Sequence, residues 1–254
     1  MIIEYHRPQT LDAALELLAR TEPVTLPLGG GTMLNRPSPL PVAVVDLQAL
    51  GLDTLARRGN FLDVGARVTL QALAGFPELT EALPRAIRGE ATYNLRQVAT
   101  VAGSLVAAGG RSSFAAAMLA LDATLTLAPG DEMLELGNLL PLRPGRLRGR
   151  LITRVTLPLN ARLAYEVAAR TPDDLPIVCV AVAAWPSGRT RVALGGFGAA
   201  PLLAFDGSEA AGAEVAARSA YNQAGDEWAS AEYRSEVASV LTGRAIKQLD
   251  MEKE

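Results

Sequence analysis

The 254-residue sequence contains one histidine, His6, and one cysteine, Cys179. Those scarcities exclude whole classes of chemistry. Iron–sulfur clusters are held by sets of cysteine thiolates and structural zinc by four Cys or His ligands, and neither set can be assembled here. A disulfide within the chain is impossible, and a Ser–His or Cys–His nucleophile would have to use His6, beside the N-terminus. Lysine is almost as rare: Lys247 and Lys253 are the only two, so a Schiff-base or phosphate-loop lysine exists only at the far C-terminal end. No run of apolar residues approaches the roughly 18 of a membrane span. A net charge of −3 supplies no basic field for nucleic acid. The opening Met1–His6 lacks the basic region, apolar core and small-residue cleavage site of a signal peptide. The expectation is a cytoplasmic protein, with no membrane span, whose chemistry is carried by an organic cofactor or another subunit.

What is present reads as alternating helices and strands. Thr10–Arg20 predicts a helix capped by Thr10, with Leu11, Ala14, Leu15 and Leu18 on one face. Val24–Leu28, Val42–Asp46 and Phe61–Gly65 predict strands, and the Pro-rich run Arg36–Pro41 a loop. Thr69 can cap a short helix reaching Ala74, and Pro77 can open another running to Ile87. Ser113 is placed to cap an apolar helix over Phe114–Leu121. Strands are expected at Ala123–Leu127 and Leu151–Leu157. Pro141–Arg150, with four arginines, reads as a solvated loop in preference to an anion-binding patch. Beyond a boundary at about residues 158–161, strands at Leu163–Ala169, Ile177–Ala184 and Arg189–Leu194 are followed by helices at Ser208–Arg218 and Ser230–Leu249. Pro186–Gly188 forms a hairpin turn between the last two strands. Strands followed by helices suggest a separate α+β layer.

Two glycine-rich segments stand out. Leu28-Gly29-Gly30-Gly31-Thr32-Met33-Leu34 follows a strand directly. Adjacent glycines let a backbone approach a ligand closely and turn several amides towards one point, as a pyrophosphate needs, and Thr32 adds a hydroxyl. Thr100-Val-Ala102-Gly103-Ser104 repeats the theme, with hydroxyls at both ends. Neither segment is a Walker A loop, and neither is the G-x-G-x-x-G fingerprint of a dinucleotide-binding unit. A nucleotide would be held by two separate backbone loops.

The chain resembles the FAD-binding, or medium, subunit of the molybdenum hydroxylases, the group of carbon monoxide dehydrogenase, xanthine dehydrogenase and aldehyde oxidase. The residues that carry the resemblance are collinear: Pro8–Leu18, Gly29–Leu34, Val45–Leu47, Val64–Leu70, Asn94–Leu105, Leu119–Ala123, Asp174–Val182, Ala193–Gly196 and Ala229–Arg234. The resemblance implies an α+β fold: a two-subdomain FAD-binding domain of the vanillyl-alcohol oxidase type, then a small α+β C-terminal domain. The corresponding ranges here are 1–158, with subdomains of about 1–55 and 56–158, and 162–250. It further implies FAD with its pyrophosphate on Gly29–Leu34 and Thr100–Ser104, and no catalytic residue on this chain. Iron–sulfur clusters on a small subunit and molybdopterin on a large subunit are the implied partners, in a complex that can be a dimer of heterotrimers. Electrons would pass from the clusters through the flavin to an external acceptor.

The sequence also departs from the family pattern. The first segment usually starts with Ala and has Asp after Thr, where this chain has Gly29 and Met33. The second usually reads Thr-Ile-Gly-Gly-Asn, where this chain has Ala102 and Ser104, and Ser113 replaces a customary aspartate. A methyl at Ala102 would obstruct close approach of phosphates. Leu175 stands where some relatives place an aromatic residue near the flavin ring. These departures keep a second reading open, a flavin-depleted paralogue serving as a structural or assembly subunit, while a stand-alone flavin oxidase lacks a general base. His6 is expected to have a surface or packing role, Cys179 to be a buried core thiol, Asp122 to pair locally, and Trp185 and Trp228 to pack.

Overall fold

The structure, a computed structural model, describes residues 1–34 and 41–251. The expected Pro-rich loop therefore lies outside the described residues except for Pro41. In chain order the elements are β1 (Ile2–His6), α1 (Leu11–Leu18), β2 (Thr25–Leu28), β3 (Val42–Asp46), β4 (Leu55–Arg58), β5 (Phe61–Gly65), α2 (Leu70–Ala74), α3 (Ala82–Glu90), α4 (Tyr93–Arg96), α5 (Val101–Ala107) and α6 (Ser113–Ala120). They continue with β6 (Thr124–Ala128), β7 (Glu132–Glu135), α7 (Leu136–Leu139), α8 (Arg143–Arg146), β8 (Leu151–Pro158), β9 (Arg162–Ala168), β10 (Val178–Ala184), β11 (Thr190–Gly195), β12 (Leu202–Gly207), α9 (Ala213–Ala220) and α10 (Ala231–Met251).

The chain forms two compact units. The first comprises residues 1–73, 93–107 and 124–156; the second comprises 74–92, 108–123 and 157–254. The first unit holds a three-stranded parallel sheet in the order β1-β3-β2, where strand pairing runs Leu26 to Val44 and Leu28 to Asp46. Ala14 and Leu18 of α1 bury against Val45 and Leu47, and Leu151 joins them. Thr10 caps α1 by accepting from the Ala13 amide at 3.3 Å, as its position before the apolar repeat predicts. A five-stranded sheet, β4-β5-β8-β6-β7, completes this unit. Its outer strands escape the sequence reading because they are polar and exposed, Leu55-Ala-Arg-Arg58 and Glu132-Met-Leu-Glu135.

The second unit is built on an antiparallel sheet, β12-β11-β10-β9. Val178–Ala183 are buried along β10, and α9 and α10 cover the sheet through Ala213, Ala217, Tyr221, Ala238, Leu241 and Ala245. The hairpin of β10 and β11 turns at Pro186–Gly188 as expected: Gly188 has φ of 93°, and its amide donates to the Trp185 carbonyl at 2.9 Å. Burying Val178, Val180 and Val182 of β10 is favourable by about 1.5–3 kcal/mol for each side chain.

Five expectations are corrected. Pro77 does not open α3, which starts at Ala82; Pro84 sits in its first turn instead, where a missing N–H costs no intrahelical bond. Thr100–Ser104 is not a free loop: Thr100 caps α5, and Val101–Ser104 form its first turn. Ser112, not Ser113, caps α6, accepting from the Ala115 amide at 3.1 Å, so Ser113 is the first helical residue. The helix expected from Ser208 starts at Ala213, because β12 runs to Gly207 and Gly212, at φ 83°, makes the entry. Pro141–Arg150 is no simple solvated loop: Arg143 donates to the Leu105 and Val106 carbonyls, at 3.0 and 3.1 Å, and closes the C-terminal end of α5.

Candidate cofactor-binding site

The two glycine-rich segments meet within the first unit. Strand β2 delivers the chain to Gly29, and Leu28 is tied to β3 through its carbonyl, which accepts from Leu47 at 3.2 Å. The segment then turns: Gly31 has φ of +71°, and its carbonyl accepts from the Leu34 amide at 3.1 Å. Only glycine takes that φ without strain. Gly30 is required for a different reason. A Cβ on Gly30 would stand 1.7 Å from the carbonyl oxygen of Val98, so the two segments are in backbone contact there.

Thr100 is locked from several sides. Its neighbours pair with the segment before α2: the Leu70 amide donates to Ala99 and the Val101 amide to Val68, both at 2.8 Å. The Thr100 hydroxyl accepts from the Gly103 amide at 3.2 Å, as an N-cap does. The same oxygen would lie 2.9 Å from a Cβ on Gly29 and 2.7 Å from one on Gly103. Glycine at both positions therefore makes room for threonine. Ala102 is 7% exposed, so its methyl is packed inside the unit and does not stand in the way of an approaching phosphate.

The remaining donors define what the site can hold. Among the described residues, no hydrogen-bond partner within the protein is found for the amides of Gly29, Gly30, Gly31, Thr32 and Met33, nor for the hydroxyls of Thr32 and Ser104. Apart from Met33, which is exposed, these residues are half-buried. Clustered backbone N–H groups without internal partners suit an anion, and a pyrophosphate has oxygens enough to take several of them. The residues present thus fit the phosphate portion of a dinucleotide-type cofactor.

Ser113 belongs to the second unit and sits differently. It is 1% exposed, and its hydroxyl accepts from the Tyr165 hydroxyl at 2.7 Å. Beside it, Glu90 accepts from the Ser112 hydroxyl at 2.8 Å and the Phe114 amide at 2.9 Å. Burial raises the Glu90 pKa, and these donors only partly offset it. Sequence reasoning missed Glu90 and Val98. Glu90 lies 22 residues from its partner, and Val98 acts through its carbonyl, which every residue has.

The other residues singled out have structural roles. His6 contacts Glu4 at 2.8 Å and Arg20 at 3.3 Å on the surface. Cys179 is fully buried, and burial followed by the charge of Glu90 pushes its thiol pKa up to about 12. Asp122 pairs with Arg189 at 2.9 Å and Arg191 at 3.0 Å. Trp185 lies beside Arg189. Trp228 is not core packing: it is 41% exposed, with the guanidinium carbons of Arg111 and Arg170 at 4.8 and 4.6 Å from its ring centroid. Leu175 is half exposed, its carbonyl accepting from Arg111 at 2.5 Å.

Known proteins resemble the chain in sequence and in fold. The sequence family described as the FAD binding domain in molybdopterin dehydrogenase matches residues 1–160. Protein YgfM of Escherichia coli K12 is 28% identical over 208 residues, which cover 81% of this chain and 79% of that protein. Reconstituted CO dehydrogenase from Oligotropha carboxidovorans superposes with a TM-score of 0.80 at 25% identity, over 96% of each chain. Quinoline 2-oxidoreductase from Pseudomonas putida 86 superposes with a TM-score of 0.75 at 22% identity, over 97% of this chain and 96% of that one, which shows a common fold.

Proposed function

The chain belongs to the family of FAD-binding domains of molybdopterin dehydrogenases, and on that premise we propose that it relays electrons through FAD within a multi-subunit oxidoreductase. The observation that carries the reading is the cluster of open amides at Gly29–Met33, with the hydroxyls of Thr32 and Ser104. These groups hold the pyrophosphate. Leu28 and Leu34 fix the ends of the loop, and Thr100, Ala102 and Gly103 shape the wall against which it rests. Ser113 takes no part, because it is 1% exposed, with its hydroxyl enclosed beside that of Tyr165. The FAD-binding domain is read as residues 1–158 and a C-terminal α+β domain as 162–250, which the family match over residues 1–160 supports, while residues 74–92 and 108–123 of the former pack in the unit that holds the latter.

The flavin, when bound, supplies the redox chemistry; the chain supplies binding, orientation and exclusion of water. A single histidine and a single cysteine leave this chain unable to ligate an iron–sulfur cluster by itself. By the pattern of the family, its electrons would come from iron–sulfur clusters on a small partner subunit, fed by molybdopterin on a large one, and the isolated chain would be inactive on substrate. The complex works in the cytoplasm. No helix among the described residues is long and apolar enough to cross a membrane.

Titration of the purified chain with FAD, followed by quenching of flavin fluorescence, tests the reading. Saturation at one FAD per chain, with absorbance at about 450 nm retained after gel filtration, is the expected result. A colourless chain that takes up no added FAD overturns it and favours the structural-subunit alternative.

A further inference from the structure

We propose that Met33 is a redox modification site of the cofactor loop: peroxide converts its thioether to a sulfoxide, whose oxygen occupies amide donors that the phosphates need. The inference rests on the reading of the site given above. Methionine belongs by preference in a core, and Met118 of α6 is fully buried. Met33 is instead 40% exposed. The cause is local. The Gly31 carbonyl accepts from the Leu34 amide, so Thr32 and Met33 occupy the two corner positions of a β-turn. That placement leaves the sulfur within reach of a small oxidant in solvent. Met1, Met133 and Met251 are more exposed still, so reactivity does not set Met33 apart. Its neighbours do: among the described residues, the amides from Gly29 to Met33 have no partner within the protein.

The step balances with hydrogen peroxide as the oxidant. A sulfur lone pair attacks one peroxide oxygen, and an S–O bond forms as the O–O bond breaks. The sulfur is oxidised by one electron pair, and the other oxygen leaves as water with both peroxide protons. A thioether is a weak acceptor, whereas the sulfoxide is polar and its oxygen accepts readily. The stem of the side chain is flexible and keeps that oxygen within covalent reach of the Met33 amide and the adjoining Thr32 amide. An acceptor placed there satisfies donors that otherwise serve an anion, and it opposes the pyrophosphate oxygens with charge of the same sign. Oxidation therefore weakens cofactor binding while leaving the fold in place. Reduction of the sulfoxide by a methionine sulfoxide reductase reverses the change.

The test treats the full chain with hydrogen peroxide, with and without saturating FAD. Peptide masses report each methionine, and fluorescence quenching reports FAD affinity. Without FAD, Met33 and Met133 are expected to gain one oxygen each while Met118 does not. With FAD bound, oxidation at Met33 is expected to slow while that at Met133 keeps its rate. The oxidised parent is expected to bind FAD about tenfold more weakly, the loss of one neutral hydrogen bond, and to recover after treatment with the reductase. Met33→Leu offers no sulfur, so its affinity should be the same before and after peroxide. Unchanged affinity in the oxidised parent overturns the inference. So does equal oxidation of Met33 with and without FAD, or a loss in treated Met33→Leu as large as in the parent. The measurements on the parent decide the matter even where the leucine variant does not fold. If the untreated parent binds no FAD, the site reading falls and the inference with it; if it binds and peroxide leaves binding intact, only the inference falls.

Discussion

Gly30 faces the carbonyl oxygen of Val98 so closely that a Cβ on Gly30 would lie 1.7 Å from it. The contact is backbone against backbone, so no side-chain rotation can relieve an added methyl. Gly30→Ala is therefore expected to cost on the order of 3 kcal/mol or more of stability, an overpacking penalty. Gly29→Ala, whose nearest neighbour is the Thr100 side chain at 2.9 Å, is expected to cost about 1–2 kcal/mol by the same principle. Urea denaturation of both variants checks the order. A Gly30→Ala chain as stable as Gly29→Ala would show that the two segments are not in contact.

Arg234 is completely buried, and its guanidinium donates to the carbonyls of Ile177 and Gly196 and to Asp226, the last at 2.6 Å. Replacing it with methionine leaves two carbonyls without donors and removes an ion pair. The expected loss is about 3 kcal/mol, given that hydrogen bonds to charged groups contribute more than neutral ones. Arg234→Lys should recover little, since one ammonium cannot reproduce the planar fork. Thermal unfolding measures both, and a lysine variant with parental stability contradicts the geometry.

Glu90 carries a pH signature. Burial holds its pKa above the ordinary 4.5, so the folded chain binds this proton more tightly than the unfolded chain does. Its contribution is most favourable below that ordinary value and is lost as pH rises through the folded-state pKa. Glu90→Gln keeps an oxygen that can accept from Ser112 and Phe114 but cannot ionise. Denaturant midpoints taken from pH 4.5 upward should fall less steeply in the glutamine variant than in the parent. Parallel curves would mean that Glu90 titrates normally.

Cys179 should be silent towards thiol reagents in the folded protein. It is fully buried, with its pKa pushed up to about 12, so thiolate and access are both lacking. Labelling with an aromatic disulfide is expected to proceed at the rate of unfolding and to accelerate in urea along with it. Rapid stoichiometric labelling of native protein would place the thiol at the surface.

Much of this architecture is legible in the residues, and what is not has physical reasons. Thr10 and Thr69 cap helices where their spacing to the first apolar positions says they should; Thr69 accepts from Ala72 at 3.1 Å. The turn at Pro186–Gly188 is equally local. The adjacent serines 112 and 113 cannot be told apart from the sequence, because either can supply a capping oxygen. The choice is made by Glu90 and Tyr165, which approach from distant parts of the chain. Thr100–Ser104 reads as a loop because glycine lowers helix propensity, yet a threonine cap and the buried Val101 and Leu105 hold the segment helical. The open amides of Gly29–Met33 follow from their triplet of glycines. That Gly30 serves backbone contact becomes visible only when Val98 is brought beside it.

The second unit recruits residues 74–92 and 108–123 from the midst of the first unit's sequence. Helix α6 in the latter stretch is buried throughout, and it packs with β10 and β11, which come much later in the chain. A ribosome therefore synthesises this apolar helix well before its seat exists. A polypeptide cut at residue 160, where the family match ends, would keep the helix and lose the seat. Helix α6 and the strands that seat it are kept together only in a chain that runs on through β10 and β11.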